Sequence, residues 1–493
     1  MTACEQDGLL QRTSARYARC SRMVFSSIEF LFVFLPIFLL AQSLLPFRNA
    51  TYVAFSLLFY FVGEGWYVAV VLASACVNYA LGRAIEAQPD ARRRAIVTGS
   101  GVALNLLSLF LFKYAGFFCE NLATLAAIAT CRPAWHLPLG VSFFTFHAIS
   151  YLVDIHRRDA HAERSFVHLG LYMLMFPQLI AGPILRFHSI APQLGRREVG
   201  LRHVHFGLLL FCFGLAQKVL LADTLARLAD GLFAHAADLG TSGAWLAVLA
   251  YTLQIYFDFA GYSNMAVGLG WTTGFDLPKN FDYPYASASI TEFWRRWHIS
   301  LSRWFRDYLY VPLGGNRLGR GRTYANLLCV FLLCGLWHGA AWTFIAWGAY
   351  HGAWLVLERL GGARVLAKLP RVLRHGYAVL VVMVGWVLFR ADSLSEAGLL
   401  LRRMFWLVPS APLQPTPIMN RTEMLALCCA LVFCLPPLPR QLARWLGVAG
   451  ERPWPQVAPQ AYLGGAVVGV VVFVAIATKV LTGAYSPFIY FRF

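Results

Sequence analysis

The chain of 493 residues is 58% hydrophobic and only 13% charged. A soluble domain carries roughly 25% charged residues, so this composition excludes an ordinary soluble protein and predicts a membrane protein. The formal net charge of +18 would suggest nucleic-acid binding in a soluble chain, but the basic residues stand in short segments between apolar runs. The positive-inside rule expects that placement, so we expect membrane lipid around the chain and no nucleic-acid partner.

The amino-terminal segment differs from the rest of the chain. Residues 1–22 are polar and basic, and Met23 opens the apolar run MVFSSIEFLFVFLPIFLL. We expect translation to start at Met23, with 1–22 an upstream extension or a disordered tail. A cleaved secretory signal is not expected, because the apolar run is longer than a typical signal-peptide core and a further span follows closely. Residues 23–493 are predicted to form a single membrane domain.

Apolar runs long enough to cross a bilayer recur along the sequence. A span needs about 20 mostly apolar residues, and this rule gives roughly eleven spans or half-spans. They lie near 27–46, 51–82, 96–118, 139–153, 166–185, 205–222, 242–271, 324–357, 376–390, 423–437 and 462–482. The predicted fold class is therefore an all-α polytopic membrane protein.

The eleven cysteines do not indicate a metal or disulfide framework. No CxxC pair occurs, and no His/Cys cluster has the spacing of a zinc site. Most of them fall in or beside apolar runs, where a cysteine is usually a small buried hydrophobic residue. No metal site is predicted.

The run near 242–271 contains the stretch YFDFAGYSNMA, which begins at Tyr256. Within it, Asp258 is a charge at predicted membrane depth, where ionisable groups are expensive. A structural role for Asp258, as partner of an arginine or of backbone amides, is favoured over a role as catalytic acid.

The segment Thr291–Tyr310, TEFWRRWHISLSRWFRDYLY, is predicted to be one amphipathic helix capped by Thr291 and stopped by Pro312. At about 100° per residue its aromatic residues share one face, and its arginines, among them Arg295 and Arg296, share the other. Such a helix is expected in the membrane interface, with arginines near phosphates and tryptophans at headgroup depth. His298 lies on the aromatic side, and this helix alone favours a packed, structural histidine.

The next span, 325–357, carries Trp337, His338 and Gly339 near its middle. A histidine at membrane depth faces a cavity or a partner and is a functional candidate. Burial favours the neutral imidazole, which can act as a general base, and Gly339 would allow a substrate or a helix to approach closely. His351 lies roughly 220° further round the helix, so it is expected to face a neighbouring span and is left out of the site.

Several long motifs, taken in order, resemble one known family. They include LFKYAGFF, LPLGVSFFTFHAISYLVDIHRRD, FPQLIAGPI, GLAQKVLLAD, FDFAGYSNMAVGLG and NFDYPYASASITEFWRRWHISLSRWFRDYLYVPLGGNR, and they continue with LWHGAAWTFIAWGAYHG, GWVLFRADSL and SPFIYFRF. This series is similar to the membrane-bound O-acyltransferases. It most resembles the branch containing the alginate O-acetylation membrane protein and the protein that D-alanylates teichoic acid.

The resemblance implies a helical fold around a central funnel, with interfacial or re-entrant helices and a catalytic core at about 251–357. By motif, His338 corresponds to the family's histidine at the narrow point of the funnel, and His298 to its other characteristic polar position. Asp258, Trp337, Gly339, Arg295 and Arg296 are expected to line or support the channel. Where relatives carry an acid this chain has Asn264, so no catalytic carboxylate is placed there.

The implied function is acyl transfer across the bacterial inner membrane by an enzyme with no bound cofactor. The expected donor is a cytoplasmic thioester, acetyl-CoA or an acylated carrier. The proton of the attacking hydroxyl passes to His338, and His298 or nearby amides steady the oxyanion. The expected acceptor is an exported polysaccharide such as alginate, reached through a periplasmic acetyltransferase partner. Two alternatives remain: a non-catalytic transporter or channel subunit, and an O-acyltransferase for a D-alanyl group, a longer acyl group or another polymer.

Overall fold

The computed structural model describes residues 23–126, 137–179, 182–406, 419–436, 441 and 459–481, and over these ranges the chain is helical without a β-strand. The all-α prediction is therefore confirmed. The expectations for residues 1–22 and for the terminal SPFIYFRF block lie outside the described residues.

The described helices follow the predicted apolar runs closely. In chain order they are α1 (Phe30–Leu44), α2 (Arg48–Ala87), α3 (Ala91–Ala126), α4 (Val141–Arg157), α5 (Phe166–Leu174), α6 (Phe176–Leu179), α7 (Phe187–Gly195), α8 (Leu201–Ala234), α9 (Thr241–Thr272), α10 (Ile290–Arg296), α11 (Ile299–Phe305), α12 (Arg320–His338), α13 (Trp342–Leu357), α14 (Ala363–Lys368), α15 (Arg371–Arg390), α16 (Leu394–Phe405), α17 (Arg421–Phe433) and α18 (Pro459–Leu481). Short π-helical turns at Arg306–Tyr310 and Glu358–Gly362 extend α11 and α13.

Five helical segments of the described chain are long and apolar enough to cross a membrane, and α1 is a shorter apolar helix. The five lie in α2, α3, α8, α15 and α18. Their outward faces carry exposed large hydrophobic side chains, such as Leu107 at 52% and Val471 at 63% exposure. Exposed apolar surface on this scale is stable in lipid rather than in water. The chain is therefore a multi-pass membrane protein.

Two predicted spans are divided in the structure. The run near 166–185 forms α5 and the short α6, with Met175 between them outside helical conformation. The run near 324–357 forms two helices, α12 and α13, and the chain breaks at Gly339 between them. The two helices pack with their backbones close together, because a Cβ on Gly335 or on Gly348 would collide with a carbonyl of the other helix. The prediction that His338 lies in the middle of one span was wrong: it is the last residue of α12.

The centre of the fold is α9, which is buried along most of its length and packs against α8. At two levels the helices meet glycine to glycine: a Cβ on Gly207 or Gly268, or on Gly214 or Gly261, would lie 2.5–2.7 Å from the opposite glycine's carbonyl oxygen. Small residues that let helix backbones approach are a usual device of membrane packing. Through Phe259 of α9, whose ring centroid lies 4.6 Å from that of His298, this helix pair packs against the segment 280–310.

Candidate active site

His338 ends α12 inside the protein and is only 5% exposed. Its ring is surrounded by aromatic rings, with centroid distances of 4.9 Å to Trp337, 5.2 Å to Trp347 and 5.2 Å to Phe389. The helix stops there because Gly339 takes an extended conformation, and a Cβ at that position would overlap the Phe344 ring. The close approach expected at Gly339 is thus made by Phe344.

Lys113 holds the end of the helix that carries His338. It lies in the π-helical turn Phe110–Tyr114 of α3. Its amino group donates hydrogen bonds to the backbone oxygens of Trp337 and His338, the latter over 3.3 Å, and lies 3.5 Å from Ser142 Oγ. The last carbonyls of a helix have no partner within the helix, and a lysine is a suitable donor for them. Lys113 therefore fixes the backbone from which the His338 ring projects.

His298 lies at a sharp break in the chain rather than on a continuous helix. The helix predicted over Thr291–Tyr310 was wrong in this respect: α10 ends at Arg296, α11 begins at Ile299, and the residue that caps α10 is Ser289, not Thr291. His298 itself has φ = 44°, in the left-handed region. That conformation costs a non-glycine residue about 1–3 kcal/mol and is found most often at functional sites.

The loop that precedes α10 stabilises this break. The N–H of Ile299 donates to the Asn280 backbone oxygen over 2.9 Å, and the N–H of Asp282 donates to the Arg296 oxygen over 3.0 Å. The Asn280 side-chain oxygen also lies 3.2 Å from His298 Nδ1. Both residues are buried, with His298 1% and Asn280 2% exposed.

The two candidate histidines meet at Trp337. The ring centroids of His298 and Trp337 are 6.4 Å apart, and the indole lies directly against His338. The structure therefore brings His298, Trp337, His338 and Gly339 into one buried region.

The start of α10 is held by a carboxylate from the end of α13. Glu358 accepts hydrogen bonds from the Ile290 N–H over 2.6 Å, from the Thr291 N–H over 2.9 Å and from the Thr291 hydroxyl over 2.6 Å. A carboxylate at a helix N-terminus satisfies its free N–H groups. The sequence offered no local signal for this contact, because it joins residues nearly 70 positions apart.

The tryptophans of α10 and α11 are packed inside the protein and do not face lipid. Trp294, Trp297 and Trp304 are 8%, 3% and 5% exposed. Trp304 stacks on Phe146 with centroids 3.8 Å apart and donates to its backbone oxygen. These tryptophans are buried by contacts with other helices. The helical spacing of residues in the sequence does not predict such contacts.

The two arginines expected near the channel differ in their surroundings. Arg295 is exposed. Arg296 is bound within the protein: its guanidinium lies 2.9 Å from a carboxylate oxygen of Glu292 and 3.6 Å from one of Asp282. Arg296 therefore serves the local structure of the loop.

Asp258 has the structural contact that the sequence favoured, although with a lysine rather than an arginine. Its carboxylate lies 2.7 Å from Lys218 Nζ, which is also 2.7 Å from Asp223. All three side chains are buried between α8 and α9. Asn264, one helical level further, donates to Gln217 over 2.7 Å. This set of contacts fixes α8 against α9.

His351 packs where the sequence placed it, against a neighbouring span. A Cβ on Gly385 of α15 would collide with its ring. Trp347 lies between it and His338, at centroid distances of 5.1 Å and 5.2 Å.

A cavity of about 270 Å³ adjoins this region, and Ser300, Arg303 and Arg186 are among its lining residues. The Ser300 hydroxyl donates to the Asn280 side-chain oxygen over 2.9 Å. A residue of the cavity wall therefore contacts the same asparagine that contacts His298. Burial alone would raise the pKa of Asp307, but hydrogen bonds from Arg306 and Arg186 hold it below its ordinary value.

Among the residues that the structure describes, no group of three or more His, Cys, Asp or Glu side chains is arranged to hold a metal ion. The residues missed by sequence reasoning are Lys113, Asn280 and Glu358. Lys113 and Asn280 stand inside motifs quoted for the family resemblance, but their partners lie 18 to more than 200 residues away along the chain.

Comparison with known proteins gives one consistent result. The model of the membrane-bound O-acyltransferase family matches residues 98–393. A protein of Azotobacter vinelandii named probable alginate O-acetylase is 41% identical over 96% of this chain and all of its own length, and one of Pseudomonas putida with the same name is 40% identical over the same shares. A peptidoglycan O-acetyltransferase of Helicobacter pylori is 35% identical over 78% of this chain and 80% of its own.

Proposed function

Because the chain belongs to the membrane-bound O-acyltransferase family and is an acyltransferase, we propose that it moves an acetyl group from a cytoplasmic thioester to a hydroxyl outside the bacterial inner membrane. The donor in this proposal is acetyl-CoA or an acylated carrier. The final acceptor is an exported polysaccharide such as alginate, reached through a periplasmic acetyltransferase partner. The names of the similar proteins, which specify O-acetylation, support an acetyl group.

The observation that carries the proposal is the buried region shared by His298, Trp337 and His338. In the proposed reaction, His338 removes the proton from the incoming hydroxyl as its oxygen attacks the thioester carbonyl. The acyl–sulfur bond then breaks, an ester forms, and the thiol leaves with a proton. General-base assistance of this kind is typically worth about 10²–10⁴-fold in rate. A neutral histidine enclosed by aromatic rings suits that task, because burial disfavours the charged ring before the proton arrives.

The cavity beside Ser300 supports an approach route for an anionic donor. Arg186, Arg303 and Asp276 line it, and Arg186 is paired with Asp307. The Arg303 guanidinium is suited to phosphate groups such as those of coenzyme A or a carrier. In this proposal the funnel implied by the family resemblance leads from that side towards the two histidines.

Two alternatives are separated by one experiment with the purified protein in lipid nanodiscs. It is incubated with acetyl-CoA labelled in the acetyl group, or with a D-alanyl-loaded carrier, together with alginate and a candidate periplasmic acetyltransferase. We expect label from acetyl-CoA to reach the polymer only when the membrane protein is present. Transfer from the D-alanyl carrier alone would replace the acetyl proposal, and absence of any thioester turnover would favour a non-catalytic transport subunit.

A further inference from the structure

The hydrogen-bonding pattern around Asn280 determines which nitrogen of His298 carries the proton. The Asn280 side-chain oxygen accepts from the Ser300 backbone N–H over 3.2 Å and from the Ser300 hydroxyl over 2.9 Å. A backbone N–H can only donate, so the atom facing it must be the amide oxygen and not the amide nitrogen. The Ser300 hydroxyl donates to the same amide oxygen, which can only accept, while its own oxygen accepts from the Ile184 N–H over 3.0 Å.

His298 Nδ1 lies 3.2 Å from this same oxygen. An oxygen can only accept, so Nδ1 must supply the hydrogen. Protonation of both ring nitrogens would leave a buried cation, and among the described residues nothing accepts a hydrogen from Nε2. Such a cation is costly, so the neutral ring with its proton on Nδ1 is the favoured form. Nε2 is then a buried acceptor.

This acceptor lies in the region of the proposed reaction. His298 is 1% exposed, and the Trp337 ring lies 6.4 Å from its ring and 4.9 Å from that of His338, centroid to centroid. The strained backbone of His298, together with the bond from Ile299 N–H to the Asn280 backbone oxygen, keeps the ring in this orientation. A buried acceptor that no described residue satisfies costs roughly 1–3 kcal/mol unless a bound molecule or a proton transfer uses it.

We propose that Asn280 is a positioning residue for the acyl transfer, holding His298 in the Nδ1–H form so that its Nε2 is presented as a buried hydrogen-bond acceptor in the proposed active site. The inference rests on the proposed function, in which His338 takes the hydroxyl proton. It assigns His298 an accepting role, which differs from the oxyanion donor expected from the sequence, because the ring's single N–H is already used by Asn280.

The test combines a tautomer measurement with kinetics on the full-length protein in nanodiscs. ¹⁵N-histidine labelling shows which nitrogen of His298 carries the proton, and the His298→Gln variant identifies the signal. We expect Nδ1–H in the wild type. Asn280→Leu should give a mixture of tautomers and lower kcat by roughly 10- to 100-fold with little change in KM for the donor. Asn280→Asp retains an acceptor and should keep the Nδ1–H form and most of kcat.

Asn105→Leu is the matched control, since Asn105 is also buried and exchanges amide hydrogen bonds with Asn78 far along the chain. It should leave the tautomer and kcat unchanged. A wild-type His298 protonated on Nε2, or an Asn280→Leu variant with the wild-type kcat, would overturn the inference. If no donor is turned over at all, the proposed function fails, and the NMR result still decides the Asn280–His298 assignment. If Asn280→Leu does not fold, the wild-type spectrum and the Asn280→Asp variant decide it.

Discussion

Replacing Lys113 by methionine removes the donor that holds the end of α12 while keeping the length of the side chain. The amino group bonds to the backbone oxygens of Trp337 and His338. Loss of one such bond is worth about 1–3 kcal/mol. If His338 is misplaced as a result and the activation free energy rises by that amount, kcat falls by roughly 5- to 150-fold.

Stability should respond differently from activity in Lys113→Met. A buried amino group has a desolvation cost. Its replacement by an apolar side chain of similar volume removes that cost, which offsets part of the hydrogen bonding that is lost. We therefore expect the unfolding temperature in nanodiscs to change little while labelled-acetyl transfer per folded molecule falls.

The matched control is Lys479→Met. Lys479 of α18 makes the same kind of contact with α8, donating to the Val219 backbone oxygen over 2.6 Å and to the Thr224 hydroxyl over 2.5 Å. Its removal should leave kcat unchanged. Equal losses of kcat in the two variants, or wild-type kcat in Lys113→Met, would refute the positioning role of Lys113.

Two further variants test the packing of the site. Gly339→Ala adds a Cβ that overlaps the Phe344 ring, so we expect a loss of roughly 1–3 kcal/mol in stability, measured by thermal unfolding, and partial recovery when Phe344→Leu is added; an unchanged melting curve would contradict the close approach. Asp258→Asn removes one of the two carboxylates bound to Lys218, which keeps its pair with Asp223. We expect a loss of about 1–3 kcal/mol in stability with kcat per folded molecule unchanged, and loss of kcat with normal stability would instead make Asp258 part of the reaction.

The membrane character and the two histidines could be predicted from sequence because both depend on local pattern. Apolar runs of span length are visible one segment at a time, and His338 stands out as an ionisable residue within such a run. Periodicity also predicted one helix across His298. It failed there because the break is stabilised by Asn280 backbone and side-chain contacts, which come from outside the segment.

The supporting residues were missed for the same reason. Lys113 bonds to the backbone of residues more than 200 positions away, and Glu358 reaches the start of α10 across nearly 70 positions. Neither contact has a sequence spacing that would reveal it. The sequence favoured a structural role for Asp258 but could not identify Lys218 as its partner. That contact depends on how α8 and α9 align, and their alignment is set by glycine contacts that form only in the folded protein.

If the His338 imidazole takes the substrate proton, replacing it should stop turnover, whereas replacing the nearby His351 should not. Both histidines are buried, both lie on neighbouring helices, and both rings pack against Trp347. Thioester turnover is measured with His338→Gln and His351→Gln proteins in nanodiscs, each shown by its melting curve to be folded. We expect His338→Gln to lose roughly 10²–10⁴-fold in kcat and His351→Gln to keep a kcat near that of the wild type. A folded His338→Gln protein that turns over the donor at the wild-type rate would contradict this role of His338.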